Sequence, residues 1–343
     1  MADGGPGAAY THLGVHGPRS RTATMPRGLL LPDVDPTPEF ARWIDSLGYD
    51  SVWASELWGR DAFVTLAAIA PHTDAALGTA IVNVFSRSPA VLAGAATSLD
   101  DLASGPIRLG IGPSTPKAIE DLHGLGYDRP VRRLHETAEL VSAFTAGEGR
   151  VEYDGELFSV QDFPALDGEV SVYAAALGEA SRRATGRTAD GWLPHMIPFD
   201  DLEGAFETVR RTAREAGRDP ALAVSPYVPA AVDDEPEKAR EVIRGHVAYY
   251  VGSGEGYRRA VAGRFPEEAE RITEAWAAGE RERARGAVTG AMVDALGVAG
   301  TPAEARERFE AVAETVPITE PIVVVPSNAS EGMTERTIEA LAP

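Results

Sequence analysis

A chain of 343 residues with 44% hydrophobic and 24% charged side chains has the apolar material for a full core, which excludes global disorder. It contains no cysteine, so disulfides, thiolate nucleophiles, zinc–thiolate sites and iron–sulfur clusters are all excluded. A net charge of -20 repels nucleic acid and anionic lipid.

Only two of the 32 basic residues are lysines, Lys117 and Lys238. An acid-rich, lysine-poor surface suits a salt-rich cytosol, where screening weakens self-repulsion; a GC-rich genome accounts for the arginines but not for the acids. No run of apolar residues reaches membrane-spanning length and no secretory signal opens the chain, so a cytoplasmic location is expected. Met1 to Pro26 lacks periodicity and reads as a flexible leader before a domain over 27–343.

In chain order the strand candidates are Gly28–Leu31, Ser51–Ala54, Leu77–Asn83, Ile107–Ile111, Val170–Ala174, Gly191–Leu193, part of Ala221–Val232, and Pro321–Val325. The helical stretches paired with them are Pro38–Leu47, Ala62–Ala70, Pro89–Leu102, Val131–Phe144, Glu179–Thr188, Leu202–Ala216, Pro236–Tyr250 and Pro302–Thr315. Strands that are apolar throughout belong to a parallel sheet covered on both faces. Eight such pairs in one chain predict an α/β protein built as a (β/α)8 barrel. Two insertions interrupt the pattern: Arg150–Phe158 alternates around Asp154-Gly155 and predicts a hairpin, and residues 252–296 are helical and charge-rich, forming either a lid or a solvated helical hairpin.

Catalytic groups of such barrels stand at the carboxyl ends of the strands. After strand two comes Glu56, between Trp53 and Trp58; a carboxylate beside aromatic walls can accept a ring N–H or hold a raised pKa. After strand three, Gly78, Thr79 and Ala80 admit a flat ring to the backbone, and Asn83 offers donor and acceptor together. Arg87 either meets a phosphate or pairs with Asp100 and Asp101. After strand four, Gly112, Pro113, Ser114 and Lys117 suit a phosphate or carboxylate, although neither a Walker spacing nor a dinucleotide fingerprint is present. After strand five, Ala175, Ala176, Leu177 and Gly178 lead into a helix N-terminus, an anion site in general terms. His195, past strand six, faces the mouth as acid, base or anion contact. The seven histidines show no metal spacing, so no metal is expected. Glu56, Asn83 and His195 are the candidate catalytic residues.

The segments Asp50–Glu56, Arg60–Ala67, Leu77–Arg87, Leu109–Gly112, Val151–Gly155 and Val298–Pro302 together resemble the bacterial luciferase-like monooxygenase superfamily. The chain is most similar to its coenzyme F420-dependent branch, which includes methylenetetrahydromethanopterin reductase. The resemblance implies a barrel that binds F420, a deazaflavin hydride carrier, or FMN as in sister branches. It also implies a cis peptide at Ala80–Ile81 behind the ring. Glu56 and Asn83 would orient the ring, with Gly112 to Lys117 and Ala175 to Gly178 along its edge and phosphate arm. Trp58 and His195 would form the substrate side, facing an unsaturated or iminium-type small molecule such as a methylene-tetrahydropterin or folate.

Leu57 stands where the sugar-phosphate dehydrogenases of the superfamily carry histidine, and their acid after strand four falls near Thr115, so that chemistry is not expected. Leu29 to Leu31 lack the strand-one carboxylate of the pterin reductases. The alternatives are an FMN-dependent monooxygenase and a non-catalytic flavin-binding barrel. The resemblance further implies a homodimer through the helices after strands two and three.

Overall fold

Short apolar runs bounded by glycine, proline and serine fold as parallel strands, and the amphipathic stretches between them cover the sheet's outer face. The computed structural model describes residues 25–315 and 317–343. The leader expected over Met1–Pro26 therefore lies, through residue 24, outside the described residues.

In chain order the strands are β1 (Gly28–Leu30), β2 (Ser51–Ala54), β3 (Ala76–Thr79), β4 (Val82–Asn83), β5 (Ile107–Gly112), β6 (Arg150–Asp154), β7 (Ser159–Pro164), β8 (Val170–Ala174), β9 (Gly191–Trp192), β10 (Ala223–Val224), β11 (Tyr227–Val232), β12 (Val298–Gly300) and β13 (Ile322–Val324). The helices are α1 (Pro38–Leu47), α2 (Ala62–Ile69), α3 (Pro89–Asp100), α4 (Pro130–Phe144), α5 (Glu179–Thr188), α6 (Leu202–Glu215), α7 (Pro236–Ser253), α8 (Glu255–Ala262), α9 (Pro266–Ala277), α10 (Arg281–Gly286), α11 (Gly290–Leu296), α12 (Pro302–Ala313) and α13 (Glu331–Ala340).

Pairing runs β10-β9-β8-β5-β3-β2-β1-β13-β11, with every barrel pair parallel. β10 and β11 act as one barrel strand broken at Ser225-Pro226, where proline offers no ladder donor. The ring thereby closes as an eight-stranded α/β barrel. β4 continues the third strand past Ala80–Ile81 and pairs with β5 alone. That Ala80–Ile81 bond is cis, as the resemblance implied.

The helical pairing needs one correction. Pro302–Ala313 precedes the last barrel strand; the helix that follows it is α13, whose residues were not assigned. β12 was also missed, because three residues too few to show a period pair with β11 outside the ring. The hairpin forms around Asp154-Gly155 as β6 and β7. Its turn hangs on Glu136, whose fully buried carboxylate accepts the N–H groups of Glu156, Leu157 and Phe158 at 2.9, 2.9 and 3.1 Å.

Inside the barrel, Trp53, Ala80, Tyr173, Leu193, Ile322 and Val324 form a cluster of their own, with Leu30, Ile81, Ala175, Ala223 and Tyr227 packed against it. Glycines on neighbouring strands make room for its rings. A Cβ on Gly28 would lie 2.9 Å from Trp53 Nε1, and on Gly78 or Gly191 it would fall inside the Trp53 or Tyr173 ring. The flat ring expected against Gly78 is thus the chain's own Trp53.

Candidate active site

At the amino ends of the strands the barrel is closed by an ion pair between a buried carboxylate and a partly buried guanidinium. Arg108 Nη1 donates to Glu320 Oε2 at 2.7 Å, and Ser51 Oγ donates to the other carboxylate oxygen. Trp53 Nε1 donates to Ser51 Oγ at 2.6 Å. The Arg108 guanidinium also lies 5.8 and 5.9 Å from the Trp53 and Tyr173 ring centroids. Both Glu320 oxygens, the Ser51 hydroxyl and the Trp53 N–H are thus spent on partners within the chain, the pattern of a structural end.

The carboxyl ends are built differently. Glu56 follows β2, but its carboxylate meets a guanidinium, not an aromatic N–H: Arg87 binds it through both nitrogens, at 2.5 and 2.9 Å. Ala62 N–H donates to Glu56 Oε2 at 3.1 Å, adding the favourable interaction of a carboxylate with a helix N-terminus. Arg87 also pairs with Asp61, the N-cap of α2, so it does not reach Asp100 or Asp101. Its own acidity is weakened first by the hydrogen bond to Glu56. Glu56 therefore enters the mouth as a carboxylate paired with Arg87, a guanidinium it shares with Asp61.

Asn83 is buried, and its carbonyl oxygen accepts from Phe85 and Ser86 N–H at 3.0 and 2.8 Å. The turn consumes the acceptor, leaving the amide NH2, which lies 3.4 Å from His123 Nε2. Across the pair of β4 and β5, Asn83 stands opposite Gly112. A Cβ on Gly112 would lie 3.2 Å from both Ala175 Cβ and Ile81 Cδ1. Three of the expected cofactor positions, from the carboxyl ends of three barrel strands, thus meet in one apolar wall.

Beyond this wall Ser114 takes a left-handed conformation at φ 58°, and its carbonyl accepts from the Tyr127 hydroxyl at 3.2 Å. Pro113 sits between the two. Lys117 is not brought to the wall; its side chain is 81% exposed and bound to Asp121, a partner one helical turn away. On the β8 side, Trp192 Nε1 donates to the Ala176 carbonyl at 2.8 Å and Arg182 Nη1 to the Leu177 carbonyl at 2.7 Å. Gly178 is the N-cap of α5 and has no side chain to satisfy the helix's first N–H groups.

His195 is buried at 7% exposure, with its Nε2 3.3 Å from His246 Nε2. Tyr227, Tyr250 and Tyr257 stand around it at ring-centroid distances of 5.2, 4.4 and 5.6 Å. Burial holds both histidines below the usual imidazole range, His246 at about 3, and pushes Tyr257 up to about 12. Trp58, expected on the same side, is 70% exposed and takes no part in these ring contacts.

The sequence reading missed His246, Tyr227, Tyr250 and Tyr257. His246 and Tyr250 share one face of α7 at i,i+4 spacing, a legible signal. Tyr257 comes from the insertion over 252–296: α8 sets Tyr257 beside His195 and Gly256 beside Leu177. Met196 and Ala231 share a core with α7 to α11, so these helices pack on the barrel and are no solvated hairpin.

Among known proteins, the model of the family described as luciferase-like monooxygenase matches residues 9–318. A 5,10-methylenetetrahydromethanopterin reductase of Methanolobus tindarius is 29% identical over 276 residues, which cover 79% of this chain and 84% of that protein. The coenzyme F420-dependent tetrahydromethanopterin reductase of Methanopyrus kandleri superposes with a TM-score of 0.77 at 24% identity, over 93% of this chain and 98% of that one. An F420-dependent secondary alcohol dehydrogenase superposes at 0.72 with 19% identity, over 93% and 100%. With most of its length matched in chain order and the same barrel closed around it, this chain belongs to the luciferase-like monooxygenase family of oxidoreductases.

Proposed function

We propose that this protein is a coenzyme F420-dependent oxidoreductase acting on an unsaturated or iminium-type small molecule. The observation that carries the reading is the apolar wall in which Ile81 and Ala175 close over Gly112, so tightly that a Cβ there would lie 3.2 Å from both. A planar tricycle needs such a surface, and a phosphate arm needs unpaired N–H donors of the kind left at Gly178. The names of the similar reductases and of the alcohol dehydrogenase add support for a deazaflavin over FMN.

When bound, the deazaflavin supplies hydride transfer at its ring carbon five. The chain's residues do the rest. Ile81, Gly112 and Ala175 would back the ring, and the Asn83 amide NH2 would donate to its polar edge. Glu56 would hold Arg87, so that a fixed ion pair rather than a free carboxylate borders the ring. Pro113, Ser114, Ala176, Leu177 and Gly178 would line the arm. His195 and its tyrosines would exclude water from the substrate side.

The same reading extends to a homodimer through α2 and α3, which leave Val64 and Val91 exposed at 69% and 56%. It also extends to a cytoplasmic, salt-adapted protein; no helix among the described residues is long and apolar enough to cross a membrane.

Titration of the purified protein with F420, read by quenching of its fluorescence, tests the proposal. Binding is expected in the micromolar range, with Gly112→Val weakening it roughly tenfold or more, about 1.4 kcal/mol. Tighter binding of FMN in a parallel titration, or no binding of F420 below about 1 mM, overturns it.

A further inference from the structure

The second imidazole behind His195 has no part in the reading above. His195 and His246 face each other through Nε2 atoms 3.3 Å apart, and both are buried at 7% exposure. Tyr250 packs against both rings, at 4.4 and 4.7 Å. Among the described residues neither ring has a carboxylate or guanidinium as a hydrogen-bond or ion-pair partner. Burial lowers the proton affinity of both, so neither carries charge at neutral pH.

A neutral imidazole has one N–H and one bare nitrogen. Two Nε2 atoms can hydrogen-bond only if one bears the proton and the other does not, so the rings must be opposite tautomers. Their Nδ1 atoms are then one donor and one acceptor. A proton lost at the first Nδ1 is replaced through the shared Nε2 proton and regained at the second Nδ1. The unit passes a proton and ends neutral, which a buried site without counter-charge requires.

A second observation points to what receives that proton. The Tyr227 hydroxyl is buried without a hydrogen-bond partner. Its ring packs both on the barrel's interior cluster, as Ile81 and Ala175 do, and against His195. An unsatisfied buried donor costs stability unless a ligand completes it. It would do so for an atom that becomes more negative as hydride arrives.

We propose that His195 and His246 form a two-imidazole proton relay for a neutral carbonyl or imine substrate, with Tyr227 as a second donor to the same acceptor atom. The proposal rests on the oxidoreductase reading, in which a reduced deazaflavin is the hydride source. The hydride adds with its electron pair to the substrate carbon, and the π pair of the C=O or C=N bond moves to oxygen or nitrogen. That atom takes the proton of His195 Nδ1. The proton on His246 Nε2 moves to His195 Nε2, and His246 Nδ1 takes one from water or a buffer acid. One hydride and one proton enter the substrate, and the pair ends neutral with its tautomers exchanged. An iminium cation, already short of electrons at carbon, needs no such proton.

Two measurements on the full-length protein test this, using His246→Gln, whose amide N–H keeps a hydrogen bond to His195 Nε2 but passes no proton onward. Long-range proton–nitrogen spectra of histidine-labelled protein at neutral pH are expected to show one Nε2–H and one Nδ1–H ring at these positions, assigned by their loss in His195→Gln and His246→Gln. Two rings of the same tautomer, or a charged ring, overturn the relay whatever the protein's substrate. In single-turnover reduction by F420H2, cyclohexanone is compared with the stable iminium 2-methyl-3,4-dihydroisoquinolinium. The ketone-to-iminium rate ratio is expected to fall roughly tenfold or more in His246→Gln. Equal slowing of both, as a structural role predicts, or no change in the ratio overturns it. If the native protein binds F420 but reduces neither probe, the substrate reading fails and the tautomer spectrum decides the relay by itself.

Discussion

The two ends of this barrel each hold a carboxylate paired with an arginine, and they use the pair in opposite ways. At the closed end Glu320 is 5% exposed and shares its oxygens between Arg108 and Ser51, under two aromatic rings that fill the interior. At the open end Glu56 shares its oxygens between Arg87 and the first turn of α2, and its N–H donates to the Ile81 carbonyl at 3.4 Å. The guanidinium meets an aromatic ring at both ends, Arg108 at 5.8 and 5.9 Å from the interior Trp53 and Tyr173 and Arg87 at 5.7 Å from Phe63 of α2, so similar chemistry is a plug where the rings fill the barrel's interior and a rim where the ring comes from an outer helix. A buried charge pair by itself therefore says little about function; what packs beside it decides.

The largest expected effect lies at the plug. Glu320→Ala strands Arg108 in a largely buried position and should cost about 3 kcal/mol, measured by denaturant unfolding. A cost below about 1 kcal/mol, the range of an exposed pair, would break the comparison. Gly78→Ala should follow, at about 1–3 kcal/mol, because the new methyl group overlaps the Trp53 ring.

Acid sharpens the contrast at the open end. Folding holds His246 at about 3 and lowers His195 as well, so below an ordinary value near 6.5 the unfolded chain binds protons that the folded one does not. Stability is then unaffected above that pH and falls as the pH drops through it, by up to about 1.4 kcal/mol per unit for each histidine. Denaturant midpoints at stepped pH should show this slope, and His246→Gln should remove one histidine's share. The smallest effect is that of salt. With a net charge of -20, stability should rise by a fraction of a kcal/mol as the screening length shrinks from about 10 Å toward about 3 Å; a flat response would remove the salt-adaptation reading.

Much of the scaffold was legible because strand and helix periods are local. Ser51–Ala54, Val170–Ala174, Pro38–Leu47 and Glu179–Thr188 fold with the bounds their patterns give. The site was legible only in outline. Gly112, Ala175 and Ile81 carry the right sizes, and their meeting follows from the ring of strands. Glu56 and Asn83 misled in one respect: residue type announces the lone pairs but not their partners, and Arg87, Ala62, Phe85 and Ser86 use most of them.

The amino-acid sequence by itself determined the eightfold alternation of strand and helix, the acid surface and the stretches that reach the barrel mouth, because each depends on residues near one another along the chain. Tertiary structure alone decided that Trp53 occupies the space over Gly78, that Arg87 turns to Glu56, and that His246 meets His195 from 51 residues away. Those pairings depend on which side chains the closed ring brings within a few ångströms, and no local period encodes that distance.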